Sequence, residues 1–121
     1  MALKSNPLAD KSYHFALKIV LLYQELISMN KEYVLSKQLL RSGTSIGANI
    51  AEANGAISKA DFSAKISIAY KESLETKYWL SLLKDSGYMQ KEKAHSLIEN
   101  ADELSKIMFS ILKSTRINKS N

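Results

Sequence analysis

The chain has 121 residues, 45% of them hydrophobic and 24% charged, an ordinary globular balance that excludes an intrinsically disordered protein. Four glycines and one proline are too few for a turn-rich all-β fold, and the absence of cysteine excludes disulfides, thiolate metal sites and cysteine catalysis. Seventeen Lys and Arg against twelve Asp and Glu leave a net charge of +5, which permits a polyanionic partner without establishing one.

Apolar spacings of three and four predict four helices in a single domain over residues 1–121. The first runs from Pro7 to Met29, with Asn6 as N-cap and Pro7 at the first helical position. Phe15, Ile19, Leu22, Leu26 and Met29 form one apolar stripe; Ala16, Val20, Tyr23 and Ile27 form an adjacent one. Lys11, His14, Lys18 and Glu25 make the polar stripe, interrupted by Leu21. An apolar arc this wide exceeds what one bundle core requires, so the helix is either central or covered by a partner subunit.

The second helix runs from Lys31 to Ala53 on Leu35, Leu39, Ile46 and Ile50. Its middle, Ser42-Gly43-Thr44-Ser45-Ile46-Gly47-Ala48, is rich in small residues. Each glycine costs about 1 kcal/mol against alanine in a helix interior, which makes a loop the rival reading. The Gly43-x-x-x-Gly47 spacing points instead to close backbone approach by a neighbour. Asn54-Gly55 marks a turn. The third helix starts at Ser58, where Ser58-x-x-Asp61 resembles a capping box, and stops at Ser86-Gly87. The fourth runs from Gln90 to Ser114 on Leu97, Ala101, Leu104, Met108 and Ile111, and the residues from Thr115 onward are expected to fray. Short connections between long helices imply an all-α fold, an antiparallel up-down-up-down four-helix bundle.

Pairing the second and third helices about their turn sets Arg41 opposite Glu72 and Gln38 opposite Glu75. Glu75 shares a stripe with Ile68, Trp79 and Leu82, so partial burial is expected, and a buried carboxylate needs a cation or donors. Gln38, Arg41, Asn49, Glu52, Glu72 and Glu75 therefore read as a structural polar network, a clamp between helices. The functional alternative is a paired-carboxylate site at Glu72 and Glu75. Glu92-x-x-His95 is half of a di-iron signature, but Glu72 lies opposite about residue 104, roughly 18 Å from Glu92 along the axis, so the two cannot share a metal within one chain. No phosphate loop, nucleophile elbow or zinc cluster is present. An enzyme, a cofactor, a metal and a small-molecule substrate are accordingly not expected. Tyr70, Tyr78 and Trp79 read as packing aromatics, with base stacking as the alternative. No apolar run approaches the about 20 residues of a membrane span and the first seven residues lack a signal-peptide core, so a cytoplasmic protein without a membrane partner is expected.

The segments Gln38-Leu39-Leu40-Arg41, Asn49-Ile50-Ala51-Glu52, Phe62 with Ile66-Ser67-Ile68-Ala69, and Glu72 with Glu75 resemble the four-helix-bundle family of proteins encoded in intervening sequences of bacterial 23S rRNA genes. Gly87-Tyr88 matches that family's usual stop of the third helix. One departure is the glycine that often follows Ala-Glu in the family; here Ala53-Asn54-Gly55 delays it, which suits a longer second helix. The resemblance implies a ring-shaped homo-oligomer, a homopentamer, which would account for the wide apolar arc of the first helix and the small residues of the second. It also implies kinship with the basic pentameric accessory variability determinants of diversity-generating retroelements, which bind nucleic acid. It carries no catalytic residues.

The leading expectation is a non-enzymatic oligomeric bundle that binds RNA or a ribonucleoprotein partner through basic surface, since phosphate contacts by Lys and Arg dominate such binding. Candidate contacts are Lys37, Lys65, Lys113, Arg116 and Lys119, with Arg41 added only if it is not locked to Glu72. The alternative is a protein-binding scaffold, for example toward a polymerase, without nucleic-acid affinity.

Overall fold

The structure is a computed structural model that describes residues 6–120, with side chains through Thr115. It consists of α1 (Pro7–Ser28), α2 (Leu35–Asn54), α3 (Lys59–Asp85) and α4 (Lys91–Ser120), joined by short turns. Helix ends lack intrahelical partners for their outermost amides and carbonyls, and local groups supply them here. Asn6 accepts from the Ala9 amide at 3.1 Å and Pro7 takes the first position of α1. Ser58 accepts from the Asp61 amide at 3.0 Å and opens α3, while the Asp61 carboxylate accepts from the Ile57 amide at 3.3 Å. At the other end of α3, Gly87 adopts the left-handed conformation (φ 88°). Its amide donates to Lys84 O and that of Tyr88 to Leu83 O, the Schellman pattern.

Two boundaries differ from the expected ones. α2 starts at Leu35, not Lys31. Lys31 sits at φ 56°, and Glu32 folds back as the cap of the helix. Its carboxylate accepts from the amides of Val34 (3.1 Å), Leu35 (3.0 Å) and Ser36 (2.7 Å), and Ser36 Oγ donates to Glu32 O. Burial pushes the Glu32 carboxyl up, but the amides of Leu35, Ser36 and Val34 outweigh it and hold the group below the usual carboxylate range. α4 continues to Ser120 instead of fraying after Ser114.

Consecutive helices are antiparallel, and α4 returns beside α1. Ser73 of α3 meets Ser105 of α4, and Lys77 meets Asp102, so rising numbers on one helix face falling numbers on the next. The core takes one stripe from each helix, including Phe15, Ile19, Leu22, Leu26, Leu39, Ile46, Ile50, Ile66, Leu80, Leu83, Leu104 and Met108. Burying each such side chain fully is worth about 1.5–3 kcal/mol. Met29, expected on the α1 stripe, lies beyond the last turn of that helix and is 76% exposed.

α2 is continuous through Gly43 and Gly47, and α1 explains why glycine is needed there. A Cβ on Gly43 would come within 2.9 Å of Ile19 Cγ1 and Cγ2, and one on Gly47 within 3.3 Å of Ser12 O. The close approach is thus made inside the chain, and these two glycines do not call for a neighbouring subunit. Buried hydroxyls extend the tight packing across the other helices. Thr76 Oγ1 donates to Ser42 Oγ at 3.0 Å, and Ser73 and Ser105 share a bond of 2.7 Å.

Candidate nucleic-acid interface

The polar residues of α2 and α3 form two separate groups. In the first, Arg41 Nη1 lies 3.2 Å from both oxygens of Glu72, while Nη2 donates to Glu75. The Trp79 indole N–H also donates to Glu75, at 2.9 Å. The Trp79 indole, and after it the Arg41 guanidinium, hold the Glu75 carboxyl below its ordinary range against the opposing effect of burial. Glu75 and Glu72 in turn raise Arg41. The Arg41 side chain is 49% exposed, so the cluster belongs with half-exposed ion pairs, worth about 1 kcal/mol at most, and not with buried ones. With its guanidinium committed to two carboxylates, Arg41 drops out as a phosphate contact.

The other members of the expected network stand apart from it. Glu52 pairs with Lys65, at 2.8 Å. Asn49 donates to Ser45 O on its own helix, at 2.8 Å. Gln38 is exposed. A second polar seam, between α1 and α4, joins Lys11 to Glu103 (2.7 Å), Lys18 to Asn100 (3.2 Å) and Glu25 to Lys93 (2.9 Å). Lys77 and Lys106 both reach Asp102 and hold its carboxyl low.

The expected cationic contacts divide between the two ends of the bundle. Lys37 is exposed near the start of α2, roughly 26 Å along the axis from the end of that helix. Lys65 and Lys113 lie toward the opposite end, where the C-termini of α2 and α4 meet the N-terminus of α3. Arg116 and Lys119 lie on the last turns of α4 at this same end; their side chains are outside the described residues. Lys59, which the sequence reading did not single out, joins them as the first residue of α3. Neither Lys59 nor Lys113 forms an ion pair among the described residues. Three carboxylates stand at this end as well: Glu52, engaged by Lys65, Asp61, which accepts from the Ile57 amide, and the exposed Asp10 in the first turn of α1. The signal for Lys59 was its place beside the α2–α3 turn, but only antiparallel packing sets that turn next to the basic end of α4.

The remaining candidates do not converge. Glu92 and His95 are exposed at the start of α4, and among the described residues no group of three His, Asp or Glu side chains could hold a metal. Tyr70 packs on Phe109 of α4, with ring centroids 5.9 Å apart, whereas Tyr78 meets Trp79 edge-on at 5.1 Å and is 58% exposed. These aromatics therefore form no single stacking platform. No helix among the described residues is long and apolar enough to cross a membrane.

Among known proteins, the model of the family described as 23S rRNA-intervening sequence protein matches residues 4–110. The fold is similar to a crystal structure from Bacteroides thetaiotaomicron, described as a protein with unknown function from the S23 ribosomal protein family. The two share 51% identity and a TM-score of 0.86, over 88% of this chain and 98% of that one. No curated protein matches the chain.

Proposed function

The chain belongs to the 23S rRNA-intervening sequence protein family, and on that footing we propose that it is a non-enzymatic, self-associating helical bundle that binds RNA or a ribonucleoprotein through its basic end. Neither the matched family nor the structural relative is described as an enzyme. The observation that carries the reading is the gathering of Lys59 and Lys113, with the positions of Arg116 and Lys119, at one end of a chain whose net charge is +5; Lys65, at the same end, is paired with Glu52. A concentrated cation field attracts phosphates and releases their counterions, so affinity follows salt. Self-association, up to the ring of five that the resemblance implies, multiplies that field.

Support for self-association comes from α1. Tyr13, Leu17 and Leu21 are 63%, 45% and 65% exposed and follow one another at i, i+4, i+8, beside the half-buried Ala16, Val20, Tyr23 and Ile27. A contiguous apolar face of this kind marks an interaction surface. On α3, Leu74 and Tyr78, at i, i+4 and 42% and 58% exposed, form a second exposed apolar pair, and this favours the alternative reading, a scaffold for another protein.

The deciding experiment is binding of a labelled structured RNA across a salt series, at protein concentrations above oligomer dissociation. The expected result is a linear fall of log affinity with log salt, whose slope counts the phosphate contacts. Lys59→Glu and Lys113→Glu should both weaken binding and make that slope shallower. Absence of binding at low salt would leave the charge as a solubility device and favour the scaffold.

A further inference from the structure

The contact of Tyr70 with Phe109 lies on the surface of the bundle, along the seam between α3 and α4. Phe109 is 53% exposed, and its ring rests against the half-buried Tyr70 with the two planes tilted by 41°. Tyr70 packs in turn on the core, so the pair is supported from beneath while much of Phe109 is left to solvent. A lone exposed apolar residue is ordinary; the neighbours of Phe109 are not. On α4, Lys106 precedes it by three residues and Lys113 follows it by four, the spacings that bring side chains onto one helix face. The position of Arg116 continues this row. On α3, Lys71 follows Tyr70 and is exposed. Neither Lys71 nor Lys113 forms an ion pair among the described residues, and Lys106, its side chain 79% exposed, shares Asp102 with Lys77. The other acids of this stretch are engaged on other faces: Glu72 by Arg41 of α2, and Glu103 by Lys11 of α1.

An aromatic ring with a cation one turn to either side matches a single nucleic-acid strand, in which bases with open π-faces alternate with phosphates. Three lysines around one ring argue against a protein partner, because the centres of protein interfaces are depleted in lysine. Resting on the RNA-binding reading above, we propose that the α3–α4 seam is a track for single-stranded RNA, with Phe109 as the stacking platform for one base. Tyr70 is a positioning residue that fixes the ring from behind. Lys106 and Lys113 meet the phosphates on either side of the stacked base, and Lys71 lines the opposite rim. In a duplex the bases are stacked on one another and offer Phe109 no open face.

Binding of a short single-stranded RNA and of a blunt duplex of equal length is compared over a salt series for the parent chain, Phe109→Ala, Phe109→Leu and Phe109→Trp, with helical circular dichroism as the folding control. Phe109→Ala and Phe109→Leu should each weaken single-strand binding about tenfold, the loss of one stacked base, with the salt slope unchanged because no phosphate contact is removed. Phe109→Trp should keep the parent affinity, and duplex binding should stay the same in all three. Lys106→Gln with Lys113→Gln should instead make the single-strand slope shallower. Single-strand affinity that survives Phe109→Ala, leucine that serves as well as phenylalanine, or equal losses on the two RNAs overturns the track and leaves charge-driven binding intact. Binding of neither RNA by the parent chain sinks the RNA-binding reading and the track with it. A Phe109→Ala chain that sediments at a lower mass than the parent places a second copy of the chain on this face, which also overturns the proposal.

Discussion

At the start of α2 one carboxylate accepts from three amides, where Asn6 of α1 and Ser58 of α3 each accept from one. Glu32 accepts from three successive amides while only 8% exposed, so removing it uncovers donors in a dry setting. Glu32→Ala is expected to cost about 1–2 kcal/mol in denaturant unfolding. The pH dependence has a definite sign. The folded carboxyl lies below the ordinary range and the unfolded one titrates near about 4.3. Its stabilisation is therefore complete above that unfolded value and disappears as pH falls through the lower folded one. Unfolding measured from neutrality down to about pH 3 should show a steeper loss of stability in the parent chain than in Glu32→Gln. Parallel acid limbs would mean that Glu32 is not the cap described here. Glu75 is also held low, but it is present in both proteins and cancels from the comparison.

Between elements, the junction of α1 and α2 depends on two missing methyl groups. In an isolated helix Gly43→Ala gains about 1 kcal/mol of propensity. Here the new methyl meets Ile19 at 2.9 Å, and Ile19 is fully buried and β-branched, so it has no free rotamer to move into. Overpacking of this sort costs about 1–3 kcal/mol, enough to cancel the propensity gain or reverse it. Gly47→Ala faces a 3.3 Å contact and should be tolerated better. Thermal melts of the two variants should therefore rank Gly47→Ala above Gly43→Ala. The opposite order would mean that α1 yields more readily at Ile19 than at the Ser12 backbone.

For the whole molecule, the face of Tyr13, Leu17 and Leu21 is the feature that a lone bundle does not explain. Leu17→Glu with Leu21→Glu places charge on it and touches no buried core position. Sedimentation should give a multiple of the 13.6 kDa chain for the parent and a mass close to 13.6 kDa for the double variant, with helical content unchanged. A parent chain that sediments as a monomer at high concentration would remove self-association from the functional reading. The same experiment bears on RNA affinity. If association multiplies the cation field, the double variant should bind RNA more weakly and with a shallower salt slope.

Local rules determined the helices. Apolar periodicity, Asn6 and Pro7, Ser58, and Gly87 set three starts and stops because caps and period act over a few residues, within reach of a sequence window. The short turns then left antiparallel packing as the available topology. The pairing of Arg41 with Glu72 was also legible, since an antiparallel helix pair maps one residue number onto another. The cap at Glu32 was not legible. It requires Lys31 in the left-handed region and a carboxylate turned back over the next helix, which helical propensity across the same residues conceals. Nor was the use of Gly43 and Gly47, because small residues announce a close approach without naming the neighbour, and the neighbour was α1. Tyr70 and Phe109 are far apart in the chain, and they share a surface only because antiparallel packing sets α3 beside α4. Periodicity decides which side of a helix is buried; which residues share a site is decided by how the helices lie against one another.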